Sequence, residues 1–329
     1  MKKIKINHLD LFSGIGGFHL GFEKAGFEVN SYFSEVDKYA IDVYKNNFKN
    51  SNYVGSVTDV RGTQLPKIDA ITFGSPCQDF SLAGKRKGMG GQRSSLITEA
   101  IRLIDECRPR FFVWENVKGT FSSNNGEDFW AIIKAFTNLG GYRLEWQLLN
   151  TKWFLPQNRE RIYLVGYLGD GSGGQVFPIR KTTRPNIESS KKKHNKIVVP
   201  TICTNYWRFA NDTPVIKYNY GQKSLNETLQ KENLLNYDIK ALDLYNKKAK
   251  DDCPTLTEPH HNSLRLYEKG LIRRLTPIEC ERLQGFPDNW TQYGKSGKIS
   301  DTQRYKMCGN AVTVDVVEAV AKNIIKVIK

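Results

Sequence analysis

Short apolar runs alternate with amphipathic stretches through the first half of the chain. Residues 4–12 alternate and end apolar, which predicts a first strand. Phe18, Leu20, Phe22 and Ala25 then recur at helical spacing, and Gly26 stops that helix. Residues 29–34 read as a second strand and 70–73 as a short buried one, rich in β-branched and aromatic side chains. A helix is predicted over 96–104, a buried strand over 111–114, a helix over 129–139, and strands over 142–149 and 162–167. Strands alternating with helices imply an α/β domain. From about Gly169 the pattern changes. Residues 169–174 are glycine-rich and read as a hinge, and the stretch to about Lys269 mixes aromatics, asparagines and lysines with poor periodicity. Regular structure resumes at Arg273. Pro277 opens a helix that Ile278, Cys280 and Leu283 continue, and residues 310–328 read as a last helix with a Val, Ala and Ile stripe. Three segments follow: 1–170, 171–272 and 273–329.

The candidate chemistry sits where the predicted strands end, which is where ligands bind in open α/β sheets. Gly74 and Pro76 break the strand over 70–73, and Cys77 stands on the turn. A cysteine can be a small buried hydrophobe, but at this place it reads as a nucleophile. The first strand runs into Asp10-Leu11-Phe12-Ser13-Gly14-Ile15-Gly16-Gly17-Phe18. Such a turn lets the backbone approach a nucleotide, a dinucleotide or S-adenosylmethionine. It is not the dinucleotide fingerprint, because Gly16 and Gly17 are adjacent. Glu35 follows the second strand, placed either to accept hydrogen bonds from ribose hydroxyls or to stand solvated at a helix start. Asp59-Val60 could meet an adenine edge. Residues 82–93 are glycine-rich and basic, and read as a mobile loop beside Cys77, over a phosphate backbone or simply on the surface. Glu115-Asn116 ends an apolar strand. There a carboxyl is partly desolvated and its pKa raised, which suits a general acid; the alternative is a helix N-cap pair. In Gln157-Asn158-Arg159-Glu160-Arg161 the two arginines alternate. On a strand they point to one face, which can hold a carbonyl oxygen or phosphate if it lines a cleft.

Charge narrows the partner. Of 329 residues 49 are Lys or Arg and 34 Asp or Glu, a net charge of +15. Between Arg180 and Arg274 there are 19 basic and 10 acidic residues, a net of +9. This points to a polyanion, nucleic acid ahead of membrane, since no basic amphipathic helix stands out. No apolar run reaches the length of a membrane span, and the first residues, Met1-Lys2-Lys3-Ile4-Lys5, lack the core of a signal peptide. A cytoplasmic protein is expected. The cysteines (77, 107, 203, 253, 280 and 308) form no CxxC and suit reduced thiols. His260-His261 has no third ligand at sensible spacing, so no metal is expected.

Six motifs occur in one order: the glycine turn from Asp10, Pro76-Cys77-Gln78, Glu115-Asn116-Val117, Gln157 to Arg161, Arg274-Leu275-Thr276-Pro277 with Gln284-Gly285-Phe286-Pro287, and Gly309-Asn310-Ala311-Val312. In this the chain resembles the DNA (cytosine-5) methyltransferases of bacterial and phage restriction-modification systems. Ser75 departs from the bulkier residue or proline usual there. The resemblance implies a Rossmann-like, S-adenosylmethionine-dependent catalytic domain over 1–170, a target-recognition domain over 171–272 and a C-terminal segment returning to the first domain. It implies that Cys77 attacks C6 of a flipped cytosine in double-stranded DNA, with Glu115 on N3 and the exocyclic amine, and Arg161, with Arg159 behind it, on O2. Phe12, Gly14, Gly16 and Gly17 would approach the methionine moiety, Phe18 and Val36 sandwich the adenine, and Glu35 hold the ribose. Asp59 and Val60 would meet the adenine edge. Pro76 and Leu96 would line the pocket, and Asn310 and Val312 close it. Gln78, Ser81, Lys85, Arg86, Arg93 and Thr255 would contact DNA. No metal is implied. A monomer is, and whether a cognate restriction endonuclease accompanies it is left open, with no stable complex implied. An RNA cytosine methyltransferase on the same core and a non-catalytic DNA-binding regulator are the rival readings.

Overall fold

The computed structural model describes residues 3–74, 96–169, 174–180, 199–200, 239–243, 248–250, 264–268, 271–273 and 275–328. Two compact units divide the chain. The first comprises Met1–Leu149, Glu160–Ile179 and Val316–Lys329, the second Asn150–Arg159 and Arg180–Asp315.

In the first unit, β1 (Ile4–Leu11) leads through the glycine turn into α1 (Gly17–Ala25). Then come β2 (Phe27–Ser34), α2 (Lys38–Asn47), β3 (Asn52–Tyr53) and β4 (Ala70–Gly74). After α3 (Leu96–Cys107) follow β5 (Phe111–Val117), α4 (Glu127–Asn138) and β6 (Tyr142–Asn150). The two-residue β7 (Gln157–Asn158) precedes β8 (Glu160–Leu168). Seven strands form one sheet in the order β3-β2-β1-β4-β5-β8-β6. Pairings from β3 through β5 are parallel, and β5 pairs antiparallel with β8. Chain order reverses between β1 and β4, the kind of switch point at which a doubly wound α/β sheet opens a crevice at its strand ends.

Alternation along β1 explains the two faces. Leu9 and Leu11 join Ile71, Phe73, Phe112 and Trp114 in a core closed by α3 and α4 through Ile97, Leu103, Ile132 and Phe136. His8 and Asp10, also buried, point to the other face. There the His8 ring lies 5.0 Å from Phe22 of α1. Burial on both faces accounts for the continuous apolar runs at 70–73 and 111–114. Among the described residues no helix is long and apolar enough to cross a membrane.

In the second unit, β9 (Val199–Pro200) pairs with β7, and β10 (Ile239–Asp243), β11 (Lys248–Lys250), β12 (Leu264–Glu268) and β13 (Leu271–Arg273) form an antiparallel sheet in the order β11-β10-β12-β13. The helix expected at Pro277 is α5 (Pro277–Leu283), started by a capping box between Thr276 and Glu279. Residues 310–328 are not one helix: α6 (Asp301–Asn310) ends at Asn310, and α7 (Val314–Ile328) begins after three further residues. The break is held open by Thr313, whose hydroxyl donates to Gln284 Oε1 (3.0 Å) and lies 2.8 Å from Thr151 Oγ1. The hinge expected over 169–174 falls mostly outside the described residues.

Candidate active site

Glu115 and Arg161, two of the residues expected to be catalytic, are brought together by the sheet. Glu115 is on β5, and Arg161 is on β8 opposite Val117, two positions along the same face. Arg161 Nε lies 3.1 Å from Glu115 Oε1, an ion pair between the two strands. Glu115 is 8% exposed, and its carboxylate has a guanidinium partner that strand periodicity alone does not reveal. Gly74, the last residue of β4, is in register with Glu115. A Cβ there would stand 3.1 Å from Glu115 Oε2. The carboxylate would thus have to shift by a few tenths of an ångström for any larger residue, at the end of the strand whose chain continues to Cys77. Asn116 turns inward instead: its Oδ1 accepts from Val117 N (2.7 Å) and the Thr120 hydroxyl (3.2 Å), opening a short 3-10 turn.

Arg159 does not share the strand face expected for it. It lies between β7 and β8, so strand alternation does not govern it. It is buried, and its guanidinium donates to the carbonyls of Ala311 (3.0 Å) and Gly309 (3.5 Å).

The glycine turn at the end of β1 is the candidate donor site. Phe12 takes φ 52°, unusual for a side chain of its size, and Gly14 and Gly16 take φ 53° and 83°. A backbone held in the left-handed region by non-glycine Phe12 is the kind of local strain that clusters at ligand sites. Gly14 N donates to Glu35 Oε2 (2.8 Å), while Glu35 Oε1 accepts from Val36 N (2.8 Å) and Asp37 N (3.0 Å). Glu35 therefore fastens the turn to the end of β2. Val36, beside it, is 75% exposed, an open apolar surface, whereas Phe18 is packed into α1 at 3%. Asp59 is exposed and Val60 buried. Leu96 opens α3, half-buried against the core. An S-adenosyl group fits what is here: a strained turn with open space over Gly14, a carboxylate at the neighbouring strand end, and a free apolar side chain next to it. Asn310 and Val312 belong to the second unit, Asn310 exposed at the end of α6. Pro76, Cys77, Gln78, Ser81, Lys85, Arg86, Arg93 and Thr255 lie outside the described residues. Among the described residues no group of three His, Cys, Asp or Glu could hold a metal ion.

The family model for C-5 cytosine-specific DNA methylases matches residues 6–326. The chain belongs to that family. It is a DNA (cytosine-5)-methyltransferase, and its fold is the Rossmann-like, S-adenosylmethionine-dependent one. Among curated relatives of this methyltransferase, the type II methyltransferase M.Bsp6I of Bacillus sp. (strain RFL6) is 32% identical, over 96% of this chain and 97% of its own. M.FnuDI of Fusobacterium nucleatum, also type II, is 33% identical over 96% and 93%. The solved structure of the Entamoeba histolytica methyltransferase EhMeth shares the fold, with a TM-score of 0.60 at 19% identity, covering 98% of both chains.

Proposed function

We propose that this methyltransferase modifies C5 of one cytosine within a specific sequence of duplex DNA, with the base flipped out of the stack. The Cys77 thiolate adds to C6, and the ring's electrons shift toward N3 and C5. Glu115 in its acid form donates its proton to N3 and accepts from the exocyclic amine, and Arg161 donates to O2, so the negative charge that develops on the ring is met by groups already in place. Bound S-adenosylmethionine would supply an electrophilic methyl group to C5, its S–CH3 bond breaking to leave neutral S-adenosylhomocysteine. Loss of the C5 proton to a base then expels Cys77 and restores the aromatic ring. Phe12, Gly14, Gly16, Gly17, Glu35 and Val36 hold the donor, with Asn310 and Val312 added by the family pattern. The basic segment 171–272 reads the target. The modification protects DNA from a cognate endonuclease, as the type II relatives suggest.

The buried Glu115–Arg161 pair over Gly74 is the observation that supports this reading most directly, because it aims an acid and a cation at the strand end that leads to Cys77. Duplex DNA carrying 5-fluorocytosine at the target, offered with the donor, should trap the wild type covalently and leave Cys77→Ser untrapped. Trapping that survives Cys77→Ser, or methylation of transfer RNA in preference to duplex DNA, would overturn the proposal.

A further inference from the structure

One hydrogen-bond chain crosses the sheet where its order reverses. Asp10 on β1 is in register with Thr72 on β4, and His8 lies two residues earlier on the same face. His8 Nε2 is 2.7 Å from Thr72 Oγ1, and Thr72 Oγ1 is 2.8 Å from Asp10 Oδ1. All three side chains are fully buried. A threonine hydroxyl carries one proton, so both bonds run the same way. Either His8 Nε2–H donates to Thr72 and Thr72 to Asp10, or a protonated Asp10 donates to Thr72 and Thr72 to His8. His8 Nδ1 is buried with no hydrogen-bond partner among the described residues. The methylation chemistry uses none of these groups.

Burial pushes the Asp10 carboxyl well above the usual carboxylate range; hydrogen bonds with Thr72 and Tyr44 oppose this and the Glu35 charge adds to it. Burial also pushes His8 well down, helped by His19. The ionisable groups facing the pair are His19 and Glu23 of α1, Glu35 after β2 and Tyr44 of α2. Glu35 is the carboxylate that binds Gly14 N, so Asp10 lies under the donor turn in both chain and space.

We propose that Asp10, held by His8 through Thr72, is a positioning residue of the donor turn, and that its ionisation lets the site distinguish the cationic donor from its neutral product. The inference rests on the proposed function. S-adenosylmethionine and S-adenosylhomocysteine share every charged group except the sulfonium, so the ratio of their affinities isolates that charge. A carboxylate in a low-dielectric interior attracts a cation more strongly than the neutral acid does. Because burial favours the acid, Asp10 ionises as pH rises, and donor affinity rises relative to product affinity in the same range.

Titration calorimetry of the full chain with each ligand, from mildly acidic to mildly alkaline pH, tests this. In the wild type the donor-to-product affinity ratio should rise about fivefold or more with pH. Asp10→Asn should leave it flat, and Thr72→Val, which removes the hydrogen bond that stabilises the carboxylate, should move the rise to higher pH. A flat wild-type ratio, or a rise that survives Asp10→Asn, overturns the inference. Should Asp10→Asn fail to fold, Thr72→Val decides: an unmoved midpoint overturns the inference. Wild-type protein that binds neither ligand overturns the proposed function together with it, whereas a flat ratio overturns this inference alone.

Discussion

Gly74 shows how a residue without a side chain can govern one that has chemistry. Its missing Cβ leaves room for Glu115 Oε2, which would otherwise meet a methyl group at 3.1 Å. Gly74→Ala should therefore displace the carboxylate while costing little stability. The methyl-transfer rate, followed with labelled donor, is expected to fall between about tenfold and a hundredfold, since small misplacements of catalytic groups cost that much. An unchanged rate would show that Glu115 is fixed by other contacts. At this scale the sequence was readable wherever a residue ended an apolar run, as Glu115 and Glu35 do. Partners across space were not readable. The Arg161 pairing depends on antiparallel register between β5 and β8, and the Arg159 contacts join residues about 150 positions apart. Sequence periodicity carries neither.

Among the elements, the turn into α1 is the most tightly specified. Gly16 caps the helix at φ 83°, and a Cβ there would collide with the Phe48 ring. Phe48 cannot readily yield, because it is stacked on His19 with ring centroids 3.7 Å apart. Gly16→Ala should cost at least about 1–2 kcal/mol for the left-handed backbone alone, measurable by urea denaturation, and should weaken donor binding with it. A loss below that range would mean that the turn relaxes to another geometry. Most strands and helices of the first unit followed from alternation and helical spacing, because burial on two faces imposes strong patterns. Two features did not. The sequence of α6, Asp301-Thr302-Gln303-Arg304-Tyr305-Lys306, is too polar to show a helical stripe. It is instead anchored by Arg304, which pairs with buried Glu281 at 3.0 Å. The strands β10 to β13 are three to five residues long, with lysines and charged residues interspersed, and leave no readable period.

At the scale of the whole molecule, the first unit is discontinuous in sequence. Its last contribution is the length of α7 from Val316 onward, whose Val316, Val317, Val320, Ala321 and Ile324 are all buried. Asn323 donates to the Val176 carbonyl (2.8 Å), and Arg110 to that of Ile328 (2.7 Å). Ile324→Ala should lower the stability of the unit by about 2–5 kcal/mol, read as a fall in the urea midpoint; a loss under about 1 kcal/mol would mean that the helix is dispensable to that core. Since α7 follows the whole 180–315 stretch, a ribosome must complete that part of the second unit before the fold that carries the glycine turn can be sealed. Until then the apolar surface awaiting α7 stays open, so any delay in translation through residues 180–315 prolongs the window in which the nascent chain is prone to aggregate.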